Sequence, residues 1–293
     1  MTDPFVAHRS LLFTVAYEML GSAADAEDVV QETWLRWAAR SEQSDPEEIR
    51  HPRAYLVRAV TRQALNRLRT MARRKEEYVG EWLPEPLLTG PDVAADVELA
   101  ESVSLAMLTV LETLTPTERA VFVLREVFDV PYAEIATAVE RSPAAVRQIA
   151  HRAREHVAAR RPRVRVSRQE QRAVAERFTR AVQTGDLDGL LRVLAPDVVL
   201  VADGGGLRSA VRRPLEGADR IVAFFGSVAA KGAWELASQV VWVNGAPAVR
   251  LDLDGELDTV MSLVVQDDRV TRILAVRNPE KLGRIADETP LAR

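Results

Sequence analysis

Five residues between Arg147 and Arg154 have the side chains and the spacing to read a DNA major groove. Arg147, His151 and Arg154 recur at i, i+4 and i+7, with Gln148 and Arg152 beside them. Arg and Gln can pair bidentately with base edges, and each such pair contributes roughly 1–3 kcal/mol of discrimination. A second cationic set, Arg58, Arg62 and Arg69, lies within Arg50 to Lys75, a stretch with nine Lys or Arg and no Asp or Glu. From Arg141 to Arg168 there are nine Arg against one acid, Glu155, whereas Glu81 to Glu118 holds eight acids and no base. Two basic blocks with an acidic one between them predict two nucleic-acid contacts on a tether whose own charge repels that nucleic acid. The net charge of −4 conceals this map, and partner choice follows local charge.

A third set is acidic. Asp28, Gln31, Glu32 and Leu35 form a stripe at i, i+3, i+4 and i+7, while Val30, Trp34 and Trp37 make the opposite, inward face of the same helix.

The inventory for catalysis is thin toward the C-terminus. All four His (8, 51, 151, 156) and all four Tyr (17, 55, 78, 132) precede residue 157, so the last third has no histidine base and no tyrosine oxyanion donor. Asp203, Asp252 and Asp254 lie on or beside predicted strands and are the acids left for a proton-transfer role; acids of this kind are more often surface or turn residues. The chain has no cysteine, which excludes disulfides, thiolate metal sites and a thiol nucleophile. Gly204-Gly205-Gly206 lacks a Gly-Lys-Ser/Thr ending and does not lead directly into a helix, so it reads as a turn at a domain interface rather than a phosphate loop. Trp234 and Trp242 suit either a pocket lining or a strand core. No metal or cofactor is expected.

These residues need elements to hold them. Residues 5–76 read as helices: Leu12, Val15, Ala16 and Met19 have helical spacing, Gly21 ends that segment, Asp25 begins the next, and His51-Pro52 breaks the chain before a helix with Tyr55, Leu56, Val60 and Leu65 inward. Residues 77–104, with EWLPEPLLTGPDV, have linker chemistry. Residues 105–162 return to helices, with a cap at Thr115-Pro116-Thr117-Glu118 and another at Ser142-Pro143. Pro131 opens YAEIATAV, ERS turns the chain, and the next helix presents Val146, Ile149, Ala150 and Ala153 inward, which is a helix-turn-helix outline. Beyond residue 168 a helix ending at Gly185-Asp186 precedes strands near 198–203, 235–243, 248–254, 259–265 and 269–276. A helix with Ile221, Val222, Phe224, Phe225 and Val228 intervenes, and Asp267-Asp268 makes a hairpin turn. Residues 168–287 are therefore an α+β module with a mostly antiparallel meander. The 293 residues suffice for two or three such modules. No apolar run reaches the roughly 20 residues of a membrane span, and MTDPFVAHRS is not a signal peptide, so a cytoplasmic, soluble monomer is expected.

DAEDVVQETWLRW with HPRAYLVRAVTRQALNRLR resembles domain 2 of the extracytoplasmic-function sigma factors. LTPTERAVFVLREVFDVPYAEIATAVERSPAAVRQIAHRAREHV resembles their domain 4. The remainder resembles a SnoaL-like, NTF2-like cone. Three strings match the subgroup that carries it: Trp82-Leu83-Pro84-Glu85-Pro86, Asp203-Gly204-Gly205-Gly206 and Asn278-Pro279-Glu280-Lys281-Leu282. The resemblance implies an all-α domain 2, an all-α helix-turn-helix domain 4 and an α+β cone. It implies core RNA polymerase and promoter DNA as partners. Asp28, Gln31, Glu32 and Leu35 would dock on polymerase. Arg58, Arg62, Asn66 and Arg69 would capture and melt the minus-ten element, and Arg147, Gln148, His151, Arg152 and Arg154 would read the minus-35 duplex. Many members carry Asn where this chain has Arg62. The three strings are expected to meet at one regulatory interface, with Trp82 and Leu83 buried and Asp203 or Asn278 bonded to nearby backbone. The alternative is an NTF2-like enzyme or a sensor of a small-molecule ligand, fused to a DNA-binding module. A plain repressor would need neither the Asp28 stripe nor a separate basic melting helix.

Overall fold

The computed structural model describes residues 3–43, 49, 51–90, 92–93, 96–160, 166–232 and 234–293. Arg50 and residues 161–165, which carry part of the two basic blocks and the end of the second helical module, lie outside the described residues.

Three helices form the first module: α1 (Pro4–Leu20), α2 (Ala23–Gln43) and α3 (Pro52–Glu76). Asp3 caps α1 by accepting from Phe5 N, and Gly21, at φ 67°, ends it in the left-handed conformation. The second module has α4 (Val97–Ser102), α5 (Leu105–Leu111), α6 (Pro116–Phe122), α7 (Tyr132–Val139) and α8 (Pro143–Arg160), with a π turn at Val123–Val127 after α6. Thr115 and Glu118 complete the capping box at α6, and Glu140, at φ 55°, turns the chain between α7 and α8.

The third module opens with α9 (Arg168–Thr184) and α10 (Leu187–Val193), then β1 (Leu194–Asp203), β2 (Leu215–Glu216), α11 (Ala218–Lys231), β3 (Leu236–Val243), β4 (Ala246–Leu253), β5 (Glu256–Gln266) and β6 (Arg269–Val276). The sheet order is β2-β1-β6-β5-β4-β3. Hairpin turns at Asn244-Gly245, Asp254-Gly255 and Asp267-Asp268 all have positive φ, which matches the twist of the strands they join. The meander accounts for β3 to β6. β1, by contrast, pairs parallel to β6, with Asp203 beside Val276 at its end.

The cores explain how the modules sit. One apolar cluster runs through both helical modules without a break, from Leu12 and Leu56 to Ile135 and Val146. A second fills the space between the sheet and α9 to α11. A third lies on the other side of the sheet and takes in Leu83 with Val260, Leu274, Val276, Leu282 and Ile285. The segment after α3 is thus not a free tether: Leu83 and Leu87 are fully buried, each contributing about 1.5–3 kcal/mol of transfer free energy. Thr89 N donates to Trp242 O at 3.0 Å, and Leu88 forms a β-bridge with Val243.

Four local expectations change. Helix α4 occupies part of the supposed linker, capped by Asp96. Helix α2 starts at Ala23, two residues before Asp25, because Ser22 and Glu85 cap its first amides. Trp34 is 42% exposed while Trp37 is buried; at 3.6 residues per turn Trp34 stands about 60° from both Trp37 and Gln31, on the border of the two faces. The chain past residue 287 does not trail away: Leu291 joins the helical core and Ala292 N donates to Thr14 Oγ1 at 3.1 Å.

Candidate functional site

The exposed face of α8 is built by what it buries. Val146, Ala150, Ala153 and Val157 pack inward, leaving Arg147, Gln148, His151, Arg152 and Arg154 in solvent. Ser142 Oγ accepts from Ala145 N at 3.2 Å and caps the helix start. Three of the five side chains have acidic neighbours: Arg154 meets Glu126 at 3.0 Å, Arg152 meets Glu118 at 4.0 Å and His151 meets Glu155 at 3.7 Å. Arg147 lies 5.8 Å from the centre of the Tyr132 ring. Exposed pairs of this type are worth about 0–1 kcal/mol, so they orient the side chains without sequestering them.

The basic face of α3 is not free in the same way. Arg62 Nη2 donates to Thr137 O on α7 at 3.0 Å and lies 3.9 Å from Glu140. Arg69 donates to Asn66 Oδ1 at 3.0 Å, and the Arg58 guanidinium is 6.0 Å from the Tyr55 ring centre. On α2, Asp28, Gln31, Glu32 and Leu35 are all exposed, but Asp28 is ion-paired with Arg67, whose Nε also meets Asp25 at 2.9 Å.

The three short strings meet in one buried knot at the end of β1 and β6. Asp203 is fully buried. Its Oδ2 accepts from Leu83 N at 3.0 Å and from Lys281 Nζ at 2.7 Å; its Oδ1 accepts from Tyr78 OH at 2.5 Å and Gly205 N at 3.1 Å. Lys281 also donates to Leu83 O at 2.7 Å, and its ammonium sits 3.3 Å from the Trp82 ring centre and 4.8 Å from that of Tyr78. Burial pulls the Lys281 pKa down, and Asp203 opposes that fall. Burial and the bond to Asp203 push the Tyr78 hydroxyl up, so it stays protonated and donates. Asn278 Nδ2 donates to Tyr78 OH at 2.9 Å, and Asn278 Oδ1 accepts from Glu280 N at 3.0 Å. Gly205 explains the glycine string: at φ 59°, a Cβ there would stand 2.3 Å from Asn278 Nδ2. Not every residue of the strings is inside. Pro84, Glu85, Pro86 and Leu282 are buried, whereas Trp82 is half-buried and Pro279 and Glu280 are exposed, because the turn at 279–281 points its first two residues outward.

A second knot ties the same segment to the first module. Glu85 Oε2 accepts from Ala23 N at 2.7 Å and Ala24 N at 3.3 Å, so a residue 62 positions away caps α2. Tyr17 OH donates to Glu85 O at 2.6 Å and accepts from Asn244 Nδ2 at 2.7 Å. Asn244 Oδ1 in turn accepts from Leu87 N at 2.9 Å.

Three family descriptions match the chain: Sigma-70 region 2 over residues 5–74, Sigma-70 region 4 over 104–157 and a SnoaL-like domain over 175–273. The ECF RNA polymerase sigma factor SigJ of Mycobacterium tuberculosis is 39% identical over 292 residues, covering 94% of this chain and 91% of SigJ. The chain belongs to the extracytoplasmic-function sigma factors. The probable ECF sigma factor SigI of M. tuberculosis is 33% identical, covering 96% of this sigma factor and 94% of the relative. The crystal structure of M. tuberculosis SigJ superposes with a TM-score of 0.76 at 35% identity, across 96% of this chain and 97% of that one. Helical sigma modules followed by a SnoaL-like α+β domain are thus the architecture of this sigma factor.

The acids singled out in its last module have structural employment. Asp203 belongs to the knot, Asp252 holds Arg250 at 2.9 Å, and Asp254 sits in a turn and accepts from Glu235 N at 3.0 Å. Only Trp234 of the two tryptophans lines the apolar cavity of the SnoaL-like domain. Several residues of the sigma factor's interfaces escaped sequence reasoning: Tyr78, Asn244, the buried Arg119 that joins Glu18 O and Glu112, and the tail at Thr289–Arg293. Each acts across a long sequence separation, and no periodicity marks it. Among the described residues, no helix is long and apolar enough to cross a membrane.

Proposed function

We propose that this sigma factor is held closed by its own SnoaL-like domain and must open for core RNA polymerase to use it at a promoter. In this reading Asp28, Gln31, Glu32 and Leu35 dock on polymerase, and Arg58, Arg62, Asn66 and Arg69 capture the minus-ten strand. Arg147, Gln148, His151, Arg152 and Arg154 read the minus-35 duplex. The observation that carries it is the buried Asp203 of the SnoaL-like domain holding Leu83 N of the segment between the two promoter modules, modules that the bond from Arg62 on the minus-ten helix to Thr137 O of the helix-turn-helix couples to each other. Promoter elements about 25 base pairs apart are separated by roughly 85 Å at 3.4 Å per step. A compact chain of this length has a radius of gyration of about 19 Å, hence a diameter near 50 Å. Two modules that share one core cannot reach both elements, so productive binding requires their separation. Polymerase would supply the differential affinity for the open form. The chain itself performs no covalent chemistry in this role.

Because the sequence has no cysteine, dyes can be placed cleanly on Ala72→Cys of α3 and Ala144→Cys of α8, both exposed. Energy transfer between them is expected to fall when core polymerase is added. Unchanged transfer in a transcribing complex overturns the reading.

A further inference from the structure

A cleft of about 430 Å³ lies where α4 and α5 of the second helical module meet β5 and the first turn of α9, a volume within the range of small-molecule sites. Two contacts hold its walls together at one edge. Asn244 Nδ2 donates to Val103 O, between α4 and α5, at 2.8 Å, and a Cβ at Gly245 would stand 2.6 Å from that of Ala100. Ala100, Ala106, Met107 and Val110 make the helical wall apolar, and Val97, 57% exposed, leaves its side chain in water at the N-terminal end of α4.

Two polar groups in this cleft lack what they need. Ser262 lines it and is 7% exposed, and its hydroxyl has no hydrogen-bond partner among the described residues, a costly state for a buried hydroxyl. Along β5 its side chain alternates with that of Met261, so it stands on the sheet face that Val260 shares with Leu83, away from the core beneath α9 to α11. Its register partners Ala248 and Leu274 belong to that same cluster. The other group is Arg168, the first residue of α9. Its Nη1 donates to Gly245 O, also of the cleft wall, at 3.4 Å, which puts the guanidinium at that wall with four of its five N–H groups unused. No carboxylate among the described residues pairs with it. Burial disfavours its charge, and Asp96, which offsets this, is bonded to Arg293 at 2.9 Å. Glu101, the acid of the wall, already has a partner. Ser262 pairs with Ala248, three residues from Gly245, so the two backbone positions are roughly 11 Å apart at 3.4 Å per residue and 4.8 Å between strands.

We propose that this cleft between modules binds a small carboxylic acid with an apolar body and a hydroxyl at its far end. The carboxylate lies on Arg168, the body against Ala100, Met107 and Val110, and the hydroxyl on Ser262. A guanidinium and a carboxylate are matched, charge-assisted partners, and the ligand hydroxyl supplies the bond that Ser262 lacks. A neutral molecule would leave Arg168 without a counter-charge, and a second acid at the far end would be buried against an apolar wall. Because the walls come from two modules, a bound acid favours the form in which they touch and opposes opening. The binding site stands whether or not the chain is held closed in the manner proposed above; the effect on opening rests on that reading.

The probes are 3-(4-hydroxyphenyl)propionate, its amide and 3-phenylpropionate, titrated calorimetrically into the full chain at pH 7. The hydroxy acid is expected to bind saturably, at least tenfold tighter than the amide and at least threefold tighter than 3-phenylpropionate. Arg168→Gln is expected to remove the preference for acid over amide, and Ser262→Ala the preference for the hydroxyl. Arg168 is half-buried at a helix start and Ser262→Ala deletes one unbonded atom, so both variants are expected to keep the thermal transition of the native chain. Absence of saturable binding by the hydroxy acid, equal or tighter binding of the amide, or an acid preference that survives Arg168→Gln overturns the site. A hydroxyl preference that survives Ser262→Ala overturns the Ser262 contact. With the dye pair on α3 and α8, saturating hydroxy acid is expected to raise the polymerase concentration at half-change at least threefold. An unchanged concentration with the acid bound overturns the effect on opening, whereas failure of the closed-form reading shows as unchanged energy transfer without any acid.

Discussion

Asp203→Asn removes one charge from the knot and almost no volume. The carboxamide oxygen can still accept from Leu83 N, while its NH2 replaces the Oδ1 that accepts from Tyr78 OH and Gly205 N, so Lys281 is left as an ammonium buried without its counter-charge and two donors lose their acceptor; the two side chains are 0% and 8% exposed. Breaking a buried pair by removing one partner typically costs about 3–5 kcal/mol. Lys281, whose pKa burial already depresses, can shed its proton, and this relief caps the loss near the lower figure. At about 1.4 kcal/mol per tenfold, 3 kcal/mol corresponds to roughly a 100-fold rise in the open population of the knot. Native-state amide exchange at pH 7 reads this directly. Leu83 N touches Asp203, but Leu87 N is bonded to Asn244 instead and reports opening of the segment as a unit. Both amides are expected to exchange about 100-fold faster in the variant. Asp203→Asn combined with Lys281→Met, which leaves no buried charge and keeps an acceptor for Leu83 N, is expected to recover most of the protection. Unaltered exchange at both amides in Asp203→Asn would show that the pair does not hold the segment and would refute the reasoning.

Three further outcomes follow from other parts of the molecule. Arg147→Ala or Arg152→Ala is expected to weaken minus-35 binding of the polymerase-bound chain about tenfold at fixed salt, from the loss of one bidentate contact; gel-shift titration checks it, and undiminished affinity removes that face from duplex readout. Glu32→Lys is expected to lower affinity for core polymerase at least tenfold with the helical circular dichroism intact, since Glu32 is exposed and leaves the Arg67–Asp25 pair untouched, unlike a change at Asp28. Glu18 is fully buried; burial pushes its carboxyl up to about 8, and its neighbour Ser102, with a single hydroxyl proton, lies within bonding distance of both Glu18 Oε1 (2.7 Å) and Leu99 O (2.9 Å). A folded pKa above the unfolded 4.5 makes its stabilisation complete below about pH 4.5 and progressively lost as pH rises to about 8, by up to 1.36 kcal/mol per unit. Thermal unfolding between pH 5 and 8 is expected to show this decline in the native chain and its absence in Glu18→Gln; equal slopes contradict it.

Much of this protein was written locally. The helices announce themselves through apolar spacing and caps, as at Thr115-Pro116-Thr117-Glu118, because a helix satisfies its backbone within four residues and its signals lie as close. The hairpin of β5 and β6 is equally legible: Asp267-Asp268 takes positive φ, and few residues tolerate it. The exposed basic face of α8 and the acidic stripe of α2 follow from the same periodicity. The fate of the segment after α3 does not. The family resemblance, not any local period, pointed to a buried Leu83, and nothing in the sequence pointed to the burial of Leu87 or to Glu85 capping a helix 62 residues upstream. Arg62 gives no sign of ending on Thr137 O, 75 positions on, nor Arg119 of lying buried against Glu18. The parallel pairing of β1 with β6 and the meeting of Asp258 with Arg277 at a cavity wall are of the same kind. Local pattern says which side of an element is apolar; which distant surface it meets is decided only when whole modules pack. There the choice is made by shape, by the need to pair every buried charge and amide, and by the apolar area left over once each module has closed its own core.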